Sequence, residues 1–305
     1  MKRIIFTVLV LMFTFIAIDV SAQTSSALAD EKFARVNKWL NREKLSVTST
    51  IPQAFVDNHI IMEGEGLPSK DAVTPGQKRL TATRAAEIVA YRNLAQFMDG
   101  VGIAGDATIK DMALHYEVVR VAVSGFVKGA QVIYKEYNEK DEVALVLVKV
   151  GMTGPGSVGE MVYKKVLGDP RIEKAVATAA KPVEIVGPVP VDERYDGIII
   201  DATGYSFRPA LINRVFTQKG EVLYDPSKVS QKILIEKGCG EYTNSVPKAQ
   251  SALESRGVKN PLIIKAAGTT NPTDLQVSED DAVKIFSANQ KTGFLADAKV
   301  AFVLK

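Results

Sequence analysis

TATRAAEIVAYRNLAQFMDG, residues Thr81 to Gly100, decides how the first half of this chain folds. Ala82, Ala86, Ala90, Leu94 and Met98 recur every fourth residue, and Val89 and Phe97 fill the same stripe, so one face of a 3.6-residue helix is apolar from end to end. That face must be buried. Its first half is alanine, whose single methyl lets the helix axis lie close to whatever it covers, and a small sheet is the predicted partner. Thr74 and Pro75 open the helix, since proline fits a first turn, and Gly100 is predicted to close it as a left-handed cap. Arg84, Glu87, Tyr91 and Arg92 point away from the stripe.

Around this helix, residues Asn58 to Gly66, entered from Ile51 to Phe55, read as a first strand that runs out through Glu63-Gly64-Glu65-Gly66 into a turn. Ala130 to Tyr137 and Glu142 to Val150 alternate and are rich in β-formers, so they make a hairpin about Asn138 to Asp141. Thr108 to Met112 reads as an extended connection. Leu114, Val118, Val121 and Ala122 fit a second helix ending near Gly125, while Val118, Val119, Val121 and Val123 also suit a strand. Gly100 to Gly105 spells GxGxxG, but these glycines follow a helix, whereas a phosphate-binding loop follows a strand and opens a helix, so a cap and turn are predicted.

Beyond Gly151, Ser157 to Leu167 suits a helix, and the stretch from Lys174 to Pro190, with Pro182, Pro188 and Pro190, reads as an extended linker. A second unit then follows. Asp196 to Ala202 is a buried central strand, Ala210 to Phe216 and Glu221 to Tyr224 form a hairpin, and a helix runs from Asp225 to Lys237. Pro261 to Ala267 is a strand, Ser278 caps a helix reaching Ala288, and Lys299 to Leu304 closes as a strand. The fold class expected is α+β: an N-terminal small sheet packed by one long helix over 51–168, a linker over 169–190, and a mixed α/β domain over 191–305.

Residues 1–22 have the form of a secretory signal, with Lys2 and Arg3, fifteen uncharged residues from Ile4 to Ile18, and Val20-Ser21-Ala22 before Gln23. A membrane anchor is the competing reading, but the run is short for a span of ~20 residues and no basic stop-transfer residues follow. Residues 23–50 are expected to be a mobile start followed by a short helix capped by Asp30, with Phe33, Val36, Trp39 and Leu40 on one face; Trp39 faces either the core or a partner. Of the formal charge of +3, removing the first 22 residues leaves +2, too little for the clustered basic face that nucleic acid requires. Cys239 is the only cysteine, which rules out an internal disulfide; it reads either as a small buried residue at a helix end beside Gly238 and Gly240 or as an intermolecular bridge or reactive thiol.

Arg84-Ala85-Ala86-Glu87, Ala90-Tyr91-Arg92-Asn93-Leu94-Ala95, Gly102-Ile103, Thr108-Ile109-Lys110-Asp111 and Gly125 to Ala130 together resemble the Lpp-twenty family, small outer-membrane lipoproteins and flagellar disk proteins of bacteria. The resemblance covers roughly the second quarter of the chain. It implies an envelope location and hands over no enzymatic activity. This chain departs from the lipoproteins in having no cysteine after the cleavage site to carry a lipid. The runs Asp196 to Ala202 and Asn260 to Ala266 are similar to a module found behind the same helix signature in other exported bacterial proteins.

Catalytic machinery is scarce. One cysteine and two histidines, His59 and His115, do not assemble an ordinary zinc site, and GxSxG, HExxH and a phosphate loop are missing. No cofactor or metal is expected. Asp201, at the end of an apolar strand before Thr203-Gly204, is a candidate ligand acid or a turn acid accepting backbone hydrogen bonds. Asp274 with Glu279, Asp280 and Asp281 lacks the EF-hand loop glycine and terminal glutamate, and helix capping explains it more simply. On the long helix, Arg84, Glu87, Tyr91 and Arg92 form either a solvated face or an interface, and the resemblance favours the interface because some relatives build rings or disks. The expected function is thus an exported, non-enzymatic envelope protein with a role in assembly, meeting envelope proteins or its own copies, with no transmembrane span after signal cleavage. A periplasmic protein holding a small molecule or cell-wall fragment is the alternative.

Overall fold

A computed structural model describes residues 33–184 and 193–305. The readings placed on the signal segment, on residues 23–32 with Asp30, and on Pro188 and Pro190 lie outside the described residues.

The chain is α+β. The N-terminal half contains helices α1 (Ala34–Glu43) and α2 (Ile51–Val56), strand β1 (His59–Gly66), the long helix α3 (Pro75–Asp99) and short strands β2 (Gly102–Ala104) and β3 (Ala107–Thr108). Helices α4 (Ile109–His115) and α5 (Glu117–Lys128) follow, then strands β4 (Gln131–Asn138) and β5 (Val143–Gly151). Helix α6 (Val158–Glu160) continues as a π-helical turn over Met161–Val166, and α7 (Pro170–Val176) ends this half. The C-terminal half has β6 (Gly197–Asp201), β7 (Ala210–Ile212), β8 (Val215–Thr217), β9 (Val222–Tyr224), α8 (Gln231–Lys237), β10 (Glu241–Thr243), α9 (Val246–Glu254), β11 (Pro261–Lys265), β12 (Gly268–Asn271), β13 (Asp274–Val277), α10 (Glu279–Thr292) and β14 (Val300–Val303).

In the N-terminal half β1, β5 and β4 form an antiparallel sheet in that order, sandwiched between two helices. On one face Ile60, Met62, Val146 and Val148 pack with Ala82, Ala86, Ala90 and Leu94 of α3; on the other, Ile61, Leu145 and Leu147 pack with Phe33, Val36 and Leu40 of α1. Period-2 alternation along β1 explains the division, and each fully buried side chain of this size contributes about 1.5–3 kcal/mol. The alanine stripe lies tightly on the strand, with Ala82, Ala86 and Ala90 fully buried. Gly64 and Gly66 of β1 face it so closely that no Cβ would fit. Thr74 and Gln77 start α3 with a reciprocal capping box. Trp39 of α1 packs on Tyr134 with ring centroids 5.0 Å apart.

Four strands of the C-terminal half form a parallel sheet ordered β10-β14-β6-β11, so β6 is interior as its apolar run requires. Helix α9 covers one face through Ala249 and Leu253. A second sheet, β12-β13-β8-β9, flanks it. The halves are joined through β2, which pairs with β3 and, in parallel, with β7. One buried apolar cluster runs from Ile60 and Leu94 to Phe302, and the rings of Phe55 and Tyr242 meet edge to face at 5.0 Å.

Several local expectations are corrected. Gly100 is right-handed (φ −83°, ψ −8°), so α3 ends without a left-handed cap. Residues 51–56 are helical because Thr50 caps the Gln53 amide and Pro52 sits in the first turn. Thr108 and Asp111 form a capping box, so Ile109 opens a helix where an extended connection was expected. Asp169 likewise caps Pro170–Val176, so the expected linker opens with a helix. Ala210 to Phe216 is two strands in different sheets, broken at Asn213, whose side chain makes four hydrogen bonds and whose Oδ1 accepts from the Ala210 amide at 2.8 Å. The helix expected from Asp225 is a 3-10 turn, Pro226–Lys228, followed by α8. The helix expected over Leu114 to Gly125 is two, α4 and α5, divided at the extended Tyr116, and the second reaches Lys128; the glycines of GxGxxG serve the backbone: Gly105 takes φ +59° between β2 and β3, and a Cβ on Gly102 would lie 3.1 Å from that of Ala210.

His59 sits at the start of the edge strand β1 with Nε2 buried and without a hydrogen-bond partner. Burial first, and the Lys149 ammonium second, hold its pKa below the ordinary value. The unfolded chain therefore binds the proton more readily, so the stability contributed by neutral His59 is complete above the unfolded pKa and is lost as pH falls from there toward the lowered folded pKa. We expect the urea midpoint to fall more steeply between about pH 7 and pH 5 for the natural chain than for His59→Phe. Superimposable pH profiles for the two proteins would exclude this role.

Candidate functional site

Helix α3 carries two kinds of surface besides its buried stripe. One flank turns toward β4 and the α5–β4 turn. There Glu87 meets Arg84 Nη1 at 3.6 Å and Lys135 Nζ at 3.4 Å, and the Tyr91 hydroxyl donates to the Ala130 carbonyl at 3.5 Å. Burial, followed by the neighbouring Glu87 carboxylate, pushes the Tyr91 phenol above its usual pKa. Glu87 and Tyr91 thus tie the helix to its own sheet.

The opposite face carries Leu80, Arg84, Ile88 and Arg92 at four-residue spacing, all exposed, with Leu80 71% and Ile88 49% accessible. The four sequence candidates therefore divide: Arg84 and Arg92 lie on this outer stripe, while Glu87 and Tyr91 flank it. Sequence reasoning missed Leu80 and Ile88, although both fall on the outer stripe when counted in fours from Arg84. The loop before α3 extends the apolar surface. Leu67 and Val73 are 68% and 83% exposed, and the Ser69 amide donates to Thr81 Oγ1 at 3.0 Å, folding this loop against the first turns of the helix. The amides of Val73 and Thr74 both donate to Gln77 Oε1 at 3.0 Å, which fixes Val73 in its outward position. Large apolar side chains gathered at one end of a helix and interleaved with arginine suit contact with another macromolecule.

Asp201 ends β6, and its Oδ1 accepts from the Thr203 amide at 3.0 Å and the Thr203 hydroxyl at 2.7 Å. These bonds hold its carboxyl below the usual range, with Lys265 as a charged neighbour, and the geometry is that of an acid closing a turn. Ser278 caps the Asp281 amide at 3.1 Å, Asp281 pairs with Lys284 at 3.0 Å, and Glu279 pairs with Lys219 at 3.3 Å. Asp274 instead belongs to β13, where its carboxylate accepts from Asn271 Nδ2 at 3.0 Å.

Cys239 is buried, with Sγ 3.1 Å from the Tyr242 hydroxyl, and burial pushes the thiol pKa up, which keeps it protonated and unreactive. It lines a cavity of ≈ 250 Å³ with Phe55, Tyr242 and Arg256, where the two halves meet. The polar groups there serve the fold. Arg256 donates to Glu241 and to the Ala298 carbonyl, each at 2.6 Å, and to the Lys237 carbonyl at 2.5 Å, while Tyr224 donates to the Cys239 carbonyl at 2.6 Å.

No helix among the described residues is long and apolar enough to cross a membrane. No curated protein matches the chain. A family model described as Treponema pallidum Tp0624, second domain, matches residues 197–305, the stretch from β6 through β14, and the C-terminal half is similar to that domain.

Proposed function

We propose that this chain is an exported, non-enzymatic protein of the bacterial cell envelope, acting in assembly at the outer membrane or flagellar base by docking envelope proteins or its own copies. The observation that supports this reading is the outer face of α3 with its leading loop, where Leu67, Val73, Leu80 and Ile88 are exposed beside Arg84 and Arg92. The resemblance of the same helix to the Lpp-twenty signature, and the signal-like first 22 residues, point to the compartment. Side chains this accessible contribute little to folding, so they are free to be specific for a partner.

The test is chemical crosslinking and affinity capture with the mature chain in envelope extracts, together with light scattering at high protein concentration. Leu80→Asp combined with Ile88→Asp is expected to abolish the recovered complex or oligomer while leaving the unfolding midpoint within about 0.5 kcal/mol of the natural chain. A chain that stays monomeric and captures no envelope component, or one found among cytosolic enzymes on fractionation, would overturn the reading.

A further inference from the structure

On the C-terminal half, a cavity of ≈ 590 Å³ opens between α7, the segment that follows it, and the β7–α8 region. Its volume is that of ordinary small-molecule sites, and Leu167, Val176, Ile212, Val229 and Leu234 supply an apolar wall. One ion pair stands in that wall. Arg214 Nε lies 3.3 Å from Asp225 Oδ1, and the two side chains are 5% and 9% exposed.

The pair is incompletely used. Asp225 Oδ1 also accepts the Ser227 amide, and Arg214 Nη2 donates to the Val176 carbonyl. Asp225 Oδ2 and Arg214 Nη1 have no hydrogen bond among the described residues. Neither atom is sealed, so both open with spare hydrogen-bonding capacity onto one largely apolar cavity. The cover is light: Ala177, Thr178 and Ala180 line the cavity with small side chains, on a segment tied at one end by the Val176 carbonyl and at the other by pairing of Lys181 and Val183 with Val222.

We infer that this cavity binds a zwitterionic α-amino acid with an aliphatic side chain. Arg214 Nη1 donates to the ligand carboxylate, Asp225 Oδ2 accepts from the ligand ammonium, and the apolar wall takes the side chain. The chemistry follows from charge balance. The charged residues lining the cavity, Arg214 and Lys228 against Asp225 and Glu173, sum to zero, so a ligand with a lone carboxylate or a lone amine brings an uncompensated charge into a site where that is costly, while a zwitterion adds none. The close approach of Nε and Oδ1 also calls for opposite ligand charges on neighbouring atoms, as on an α-carbon.

The test is thermal unfolding and calorimetric titration of the mature chain with leucine, 4-methylpentanoate and isoamylamine. Leucine is expected to raise Tm with its concentration and to bind at least about tenfold more tightly than either singly charged analogue. Arg214→Met is expected to remove the leucine response. Should that variant fail to fold, Ala180→Trp, which fills the cavity from its lining and leaves Arg214 and Asp225 in the chain, is expected to remove the same response at an unchanged unliganded Tm. Absence of saturable leucine binding, equal binding of the three probes, or undiminished binding by Ala180→Trp would overturn the assignment. These readouts use the chain alone, so they stand or fall separately from envelope docking.

Discussion

Valine at Gly64 or Gly66 is expected to destabilise the protein by about 3 kcal/mol or more, and alanine at either position to be costly as well. A Cβ on Gly64 would lie 2.2 Å from the Ala90 amide nitrogen and 2.3 Å from the Ala86 carbonyl oxygen. On Gly66 it would lie 2.2 Å from the Ala86 nitrogen and 2.3 Å from the Ala82 oxygen. These obstacles are helix backbone, which cannot swing aside as a side chain does. Helix α3 would have to lift from β1 along its length, opening the contacts of Leu94 and Met98 as well. Urea unfolding followed by far-UV and near-UV circular dichroism reads the effect. Gly76, in the first turn of α3, is the control, because a Cβ there meets nothing within 4 Å. Gly76→Ala is expected to stabilise by about 0.4–1 kcal/mol. Unchanged midpoints for Gly64→Val and Gly66→Val would mean that the helix does not sit against the strand as described.

Loss of the Arg256 guanidinium should have the next largest effect. Arg256→Met deprives the Ala298 and Lys237 carbonyls and the Glu241 carboxylate of a donor while nearly preserving side-chain length. Glu241 retains access to water at 32% exposure, so the penalty falls mainly on the two carbonyls, at about 1–3 kcal/mol each. Arg256→Lys is expected to recover only part of the loss, since an ammonium cannot present a planar fork to three acceptors. Equal stability of the methionine and natural proteins would show that water replaces the guanidinium without cost.

The alanine stripe was legible because four-residue spacing over five turns admits only one period, and it correctly implied a thin helix–sheet interface. The same sequence did not reveal why Gly64 and Gly66 alternate with glutamate, because their meaning depends on which face of β1 meets α3. Helices α2 and α4 are too short to display periodicity, so the first reads only as the lead into β1 and the second as an extended connection, although Thr50 with Gln53 and Thr108 with Asp111 carry capping signals. Strand β10, with three residues, gave no pattern at all. Asn213 hid inside the apolar run from Ala210 to Phe216, and only its hydrogen bonds across the fold show that it divides the run. On the candidate docking face the arginines stand out by residue type, whereas Leu80 and Ile88 are two apolar residues eight apart that the longer buried stripe outweighs. Arg214 and Asp225 stand eleven residues apart in different connections, so no local spacing announces the pair.

The parallel β2–β7 ribbon sets one further condition. The stretch similar to Tp0624 starts at Gly197, yet β7 inside it is completed by Gly102 and Ala104 from far upstream. A gene fragment trimmed to that border would encode a body with a bare rim and a half-wetted Tyr242 ring, prone to stick to its own kind. Similarity and self-sufficiency have different borders in this chain, and whoever transplants the downstream module must carry along β2, Phe55 and the 176–183 segment that its neighbour supplies.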